Sequence, residues 1–160
     1  MGSFKDNKNR LWEINVNVAS CKRVKSLLDV DLLDLATTPQ RLISDPIFLS
    51  DVLYCVCKPY ADTLGVSDEE FGIVLSGNII GEARNALIQG IENFFPSPEE
   101  REAAKVAIQK AKEFQILLRQ KAVREMNAED QNELADKLIQ RIKAETAIAL
   151  AKMFGEPSTD

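Results

Sequence analysis

Histidine is absent from this chain of 160 residues. That removes the commonest general base at neutral pH, the Ser–His and Cys–His nucleophilic pairs, and the commonest metal ligand. Cysteine is scarce: Cys21, Cys55 and Cys57 are the only three. An odd count without a secretory leader predicts reduced thiols in a cytosolic setting rather than a disulfide framework. On a helix, Cys55 and Cys57 lie about 200° apart, so their sulfurs do not converge on one ion. They read as buried small hydrophobes, and no metal or cofactor is expected. No apolar run approaches the roughly 18–20 residues that cross a bilayer. The first residues carry no apolar signal core, so a cytoplasmic protein is expected.

Charge of one sign is also missing in any concentrated form. The formal net charge is −5. Residues 1–44 carry seven basic and five acidic side chains, 45–96 two and eight, and 97–160 eleven and twelve. None of these segments is a dense basic footprint for phosphate backbones, so neither nucleic acid nor membrane is an expected partner. Gly72, Gly77, Gly81 and Gly90 do not form a phosphate loop, because no lysine follows and no strand precedes them. Asp29, Asp31 and Asp34 lack the glycine and terminal glutamate of a calcium loop and read as turn and cap residues. No catalytic residue is assigned. An enzyme would have to work through Cys, Asp, Glu or Lys alone.

What is present is core material: 45% of residues are hydrophobic and 28% charged, an ordinary globular balance. The stretch from Asp45 to Phe95 holds most of the large apolar residues and most of the helix punctuation. Before it, Phe4–Asp6 and Leu11–Val18 flank Asn7-Lys8-Asn9, a turn sequence. Trp12, Ile14, Val16 and Val18 alternate with Glu13, Asn15 and Asn17, which predicts a hairpin with one buried face. Trp12 reads as its core anchor. Ser20 is the expected cap of a helix that turns Val24, Leu27 and Leu28 inward. Asp31 would cap a short helix over 32–35, and Thr38-Pro39 would open another.

From Pro46 the spacing of Phe48, Leu49, Val52, Leu53, Val56 and Tyr60 predicts a helix that kinks or ends near Lys58, before Pro59. Ser67 with Glu70 reads as a capping box for a helix burying Phe71, Val74 and Leu75. Asn78 would cap the next, with Ile80, Ala83, Leu87, Ile91 and Phe94 inward. Ser97-Pro98-Glu99-Glu100 marks the sharpest boundary. Beyond it the chain turns Ala-, Lys-, Glu- and Gln-rich. Ala104, Ala107, Ile108, Ala111, Phe114, Leu118 and Met126 form one apolar stripe, and Ala135, Leu138, Ile139, Ile142, Ala149 and Met153 another. The fold class expected is mainly α (α+β): a short N-terminal β-hairpin on a helical bundle over 1–96, then two long amphipathic helices over 97–155. These would turn back at Asn127 or run on as one. Residues 156–160 read as a disordered tail. The stripes are narrow, closer to a coiled-coil seam than to a globular core face, and suit either a docked helix or simple packing on the domain.

The run Arg-Leu-Trp-Glu-Ile-Asn-Val-Asn-Val with Cys-Lys-Arg-Val-Lys-Ser-Leu-Leu-Asp-Val-Asp-Leu-Leu-Asp-Leu, within residues 10–35, resembles the tail assembly chaperones of tailed bacteriophages and prophages. So do Ser-Asp-Pro-Ile-Phe-Leu-Ser-Asp-Val-Leu-Tyr at 44–54 and the Val-Ser-Asp-Glu-Glu-Phe segment at 66–71. The resemblance covers about residues 4–96 and does not reach the C-terminal helices. It implies a non-enzymatic helical protein of the bacterial host cytosol, which coats a long helical tape-measure protein until tail-tube subunits replace it, and which self-associates as a homo-oligomer. Joined to the stripes, it makes Ile108, Phe114, Leu118, Leu138, Ile142 and Met153 the candidate partner-binding residues. The alternative is a structural virion component or oligomeric adaptor.

Overall fold

The computed structural model describes residues 2–154, with side chains through Ala151. The expected tail at 156–160 lies outside the described residues. The element order is β1 (Gly2–Lys5), β2 (Leu11–Ile14), α1 (Val18–Leu28), α2 (Thr38–Ser44), α3 (Pro46–Leu64), α4 (Asp68–Val74), α5 (Asn78–Phe94) and α6 (Pro98–Phe154). The protein is mainly helical with one small antiparallel sheet. It divides into two compact units, one through Ile116 and one from Leu117.

In the first unit, β1 and β2 pair with Phe4 opposite Trp12 and Gly2 opposite Ile14. Between them Asp6 N donates to Arg10 O, which closes a three-residue loop over 7–9, and Asn9 takes the left-handed backbone (φ 65°) that such a loop needs at its last position. Trp12 is fully buried. Its ring meets Phe71 edge-on at 4.9 Å and Tyr60 at 5.4 Å, so one face of the hairpin is fastened to α3 and α4. On the same buried face β1 lies against α5, where a Cβ added at Gly2 would clash with the Ala86 backbone. The core continues through Val24, Leu42, Leu49, Val52, Leu53, Phe71 and Leu87. The first turns of α6 join the first unit, since Ala104, Ile108 and Ala111 are buried; its edge lies inside α6 rather than at residue 96.

Several expectations change in the structure. The alternation ends at Ile14: Val16 is only half-buried and Val18, 59% exposed, opens α1. The α1 cap is Asn17, which accepts from Ser20 N while Ser20 Oγ accepts from Asn17 N, so Ser20 is the third helical residue of a capping box. Leu27 is exposed. The segment 32–35 forms turns, because Asp31 and Asp34 accept from the backbone of Leu33 and Ala36, an alternative to helical bonding. Gly77, not Asn78, precedes α5, with φ 57°. Ser67 accepts from Glu70 N as expected, but the Glu70 carboxylate turns to Lys8 and Arg10. The box at Ser97 and Glu100 has both halves.

Two helices run through expected breaks. α3 continues past Pro59 to Leu64. Proline leaves the carbonyl four residues back without its donor, and here that carbonyl, Cys55 O, accepts from Arg23 Nη1 at 2.7 Å. Of the two arrangements left open beyond Pro98, the chain takes the second and runs on through Asn127 as one helix, α6. Asn127 costs a helix interior only about 0.7 kcal/mol relative to alanine, and its neighbours are good helix formers.

Candidate partner-binding surfaces

Three surfaces could hold a partner. The first is an apolar groove in the first unit, about 580 Å³, between the α2 entry and the first turns of α6. Leu35 and Pro39 form one wall, Val106, Ala107 and Phe114 the other, and Lys110 lies at the edge. Pro39 stands at the first turn of α2, where its missing N–H costs nothing. Gln40 Nε2 donates to Gln115 Oε1 across the groove at 3.2 Å.

The second surface is the second unit itself. From Leu117 to Ala151 every described residue is exposed, including Leu117, Leu118, Val123, Met126, Leu134, Leu138, Ile139, Ile142, Ile148 and Leu150. An isolated helix is marginal in water, and helices in proteins draw most of their stability from packing an apolar face. These side chains have no such packing within the described chain.

The third is a cleft of about 490 Å³ bordered by β2, the start of α1 and the middle of α3, with Glu13, Asn15, Arg23, Cys57 and Tyr60 among its lining. Arg23 is held there by the Cys55 carbonyl. Cys57 has its thiol pushed up to about 12 by burial. Burial also raises Cys55, followed by the charge of Asp51, and raises Cys21, followed by that of Asp31. At neutral pH these thiols are protonated and poor nucleophiles.

The most charged interior group, Asp6, serves the hairpin. Its Oδ1 accepts from the backbone of Lys8 and Arg10, and its Oδ2 from Arg10 Nε at 2.6 Å and Trp12 Nε1 at 2.9 Å. Burial pushes its carboxyl up, but the bonds from Trp12 and Arg10 outweigh that and hold it below the usual range. Among the described residues no three His, Cys, Asp or Glu side chains are placed to share a metal ion. No helix there is long and apolar enough to cross a membrane.

The candidate residues read from the sequence divide. Leu118, Leu138 and Ile142 are exposed on α6, and Phe114, 52% exposed, closes the groove. Ile108 is 2% exposed and packs inside the first unit, so it offers nothing to a partner. The Met153 side chain lies outside the described residues. The α2 wall of the groove was missed. Pro39 looked like a helix start only, and nothing local says what α2 will stand beside.

Comparison with protein families, curated proteins and solved structures finds no match.

Proposed function

We propose that this protein is a non-catalytic tail assembly chaperone of the bacterial host cytosol, which holds a long helical, tape-measure-like client until assembly takes it over. The observation that carries the reading is the run of exposed large apolar side chains on α6 within the second unit, from Leu117 to Leu150. An amphipathic client helix would lay its apolar face along it, anchored at three- and four-residue spacing. An exposed apolar surface of this extent marks an interaction site on a soluble protein. The resemblance over residues 4–96 supplies the identity of the client, and protonated thiols and an acidic body suit a holding role.

Affinity purification from the native expression context, followed by mass spectrometry, tests the proposal. A very long helix-rich protein, recovered in less than equimolar amount and lost when Leu138→Asp and Ile142→Asp are combined, is the expected result. Tube or capsid subunits in fixed ratio, or a client held equally well by the double variant, would replace this reading with a structural virion component.

A further inference from the structure

Main-chain bonding in the hairpin alternates along the strands. Asp6 N donates to Arg10 O beside the loop. Every second pair from there, Phe4 with Trp12 and Gly2 with Ile14, therefore exchanges main-chain bonds, while Lys5 with Leu11 and Ser3 with Glu13 do not. The N–H and C=O groups of Leu11 and Glu13 point off the outer edge of β2. No hydrogen bond among the described residues takes them up. Beyond Asn15 the edge closes, because the main chain of Asn17 is held by Ser20 and Cys21.

The cleft of about 490 Å³ runs along this edge: Leu11, Glu13 and Asn15 line it, and Trp12, Ile14 and the residues of β1 do not. Across from the edge, Val56, Cys57 and Tyr60 of α3 supply an apolar floor. Leu11 and Tyr60 are each 45% exposed, large apolar groups without full cover. Arg23 stands on the α1 side. Its Nη1 donates to the Cys55 and Val56 carbonyls, and no hydrogen bond among the described residues takes up its Nε or Nη2. Glu13 lies on the exposed face of β2.

These features select the occupant. Free main-chain groups at every second residue are matched by the main chain of another extended segment. A helix cannot match them, because its own N–H and C=O groups are bonded internally. The edge carries no lysine, proline or bulge, the devices that keep exposed strands from pairing. Because α1 and α3 border the cleft, a single extended segment reaches the edge, whereas the hairpin of a second copy brings its own α1 and α3 against them. A carboxylate on the segment completes the Arg23 guanidinium.

We propose that the outer edge of β2 takes an extended segment of another protein as a third, antiparallel strand, with apolar side chains on α3 and an acidic one at Arg23. The proposal does not rest on the chaperone reading, which concerns a helical client on α6.

Fluorescence anisotropy of the full chain with a labelled hexapeptide, acetyl-Glu-Thr-Val-Thr-Val-Thr-amide, tests it. With the middle threonine opposite Glu13, the threonines meet β2 through their main chain, and the glutamate and valines turn to Arg23 and α3. Saturable binding of one peptide per chain is expected. N-methylation of the middle threonine should weaken it at least tenfold, whereas N-methylation of the valine before it, whose N–H points away from β2, should leave it unchanged. Glutamine in place of the glutamate should weaken it about tenfold, as for loss of a charged hydrogen bond. Glu13→Pro removes the N–H that faces the peptide and none that β1 uses, a change that edge strands tolerate. It should weaken binding at least tenfold while Trp12 fluorescence stays that of the parent. Should that variant unfold, the two N-methyl peptides decide the point on the parent protein. Hydrogen exchange should slow at Leu11 and Glu13 when the peptide is added. No saturable binding at the highest soluble peptide concentration, two N-methyl peptides that behave alike, a glutamine peptide that binds as well as the parent peptide, or a folded Glu13→Pro that binds normally would each overturn the proposal. So would slow exchange at Leu11 and Glu13 that grows with protein concentration in the absence of peptide, which would put a second copy on the edge.

Discussion

Arg23 on α1 hydrogen-bonds the Cys55 carbonyl of α3, the acceptor that Pro59 leaves without a helical donor. One guanidinium thus repairs the helix and ties α1 to α3. Arg23→Ala should cost about 1–3 kcal/mol, the range for leaving a buried acceptor unpaired. In a Pro59→Ala background, the restored N–H of residue 59 takes over Cys55 O, and the same change should cost markedly less. Urea unfolding of the four proteins in the cycle measures the coupling. Equal losses in both backgrounds would mean that Arg23 contributes by packing alone.

Acid should loosen the hairpin. Asp6 is held below its ordinary pKa by the Trp12 and Arg10 bonds, against the upward push of burial, and Glu70 is held down by Lys8 and then Arg10. A carboxylate depressed in the folded state contributes stability above its unfolded value, near 3.9 for Asp. That contribution is lost as pH falls through the folded value. Asp51, raised by burial and then by Asp68 and Asp45, works in the opposite sense. Comparing the parent with Asp6→Asn cancels that term. The variant should be less stable at pH 7 by about 3 kcal/mol, as expected for breaking a buried charged network, and the gap should close below pH 4. A gap independent of pH would show that Asp6 acts only through shape.

Thiol reactivity should follow burial. Cys55 and Cys57 are buried and Cys21 is partly exposed, and all three are raised from their ordinary value, Cys57 to about 12. A chromogenic disulfide reagent at pH 8 should react slowly with one thiol, removed by Cys21→Ser, and with the remaining two only after denaturant is added. Rapid reaction of Cys55 or Cys57 in the folded protein would point to an activated thiol and reopen an enzymatic role.

Charge placed on the two parts of the α6 stripe should separate packing from docking. Ile108→Asp buries an unpaired carboxylate and should cost about 3 kcal/mol or more of first-unit stability. Leu138→Asp with Ile142→Asp sits on an exposed surface and should leave the melting of the first unit, followed by Trp12 fluorescence, within about 0.5 kcal/mol of the parent. Loss of the Trp12 signal in the second variant would place that surface inside the fold.

Gly90 on α5 leaves room for Val16, whose Cγ2 would stand 2.7 Å from an added Cβ. Gly90→Ala should destabilise by about 1–3 kcal/mol through overpacking, despite the better helix propensity of alanine, as thermal unfolding would register.

Local chemistry was enough to read the hairpin turn at Asn7–Asn9, the anchor role of Trp12, the caps at Ser67 and Ser97, and the apolar faces of α3, α4 and α5. Each depends on residues within a few positions of one another, where periodicity and capping act. The sequence alone also determined that the chain beyond Pro98 would be a long stretch of helix. Tertiary structure decided what depends on residues far apart. Arg23, 32 positions from Cys55, lets α3 pass Pro59, so the proline rule was outweighed by a donor that no local window contains. Glu70, 60 positions from Arg10, left its capping box for a better-charged partner. Ile108 and Leu138 read alike in sequence, since both are branched aliphatics on the apolar stripes beyond Pro98. Burial separates them: Ile108 is packed within the first unit, while Leu138, in the second, is exposed.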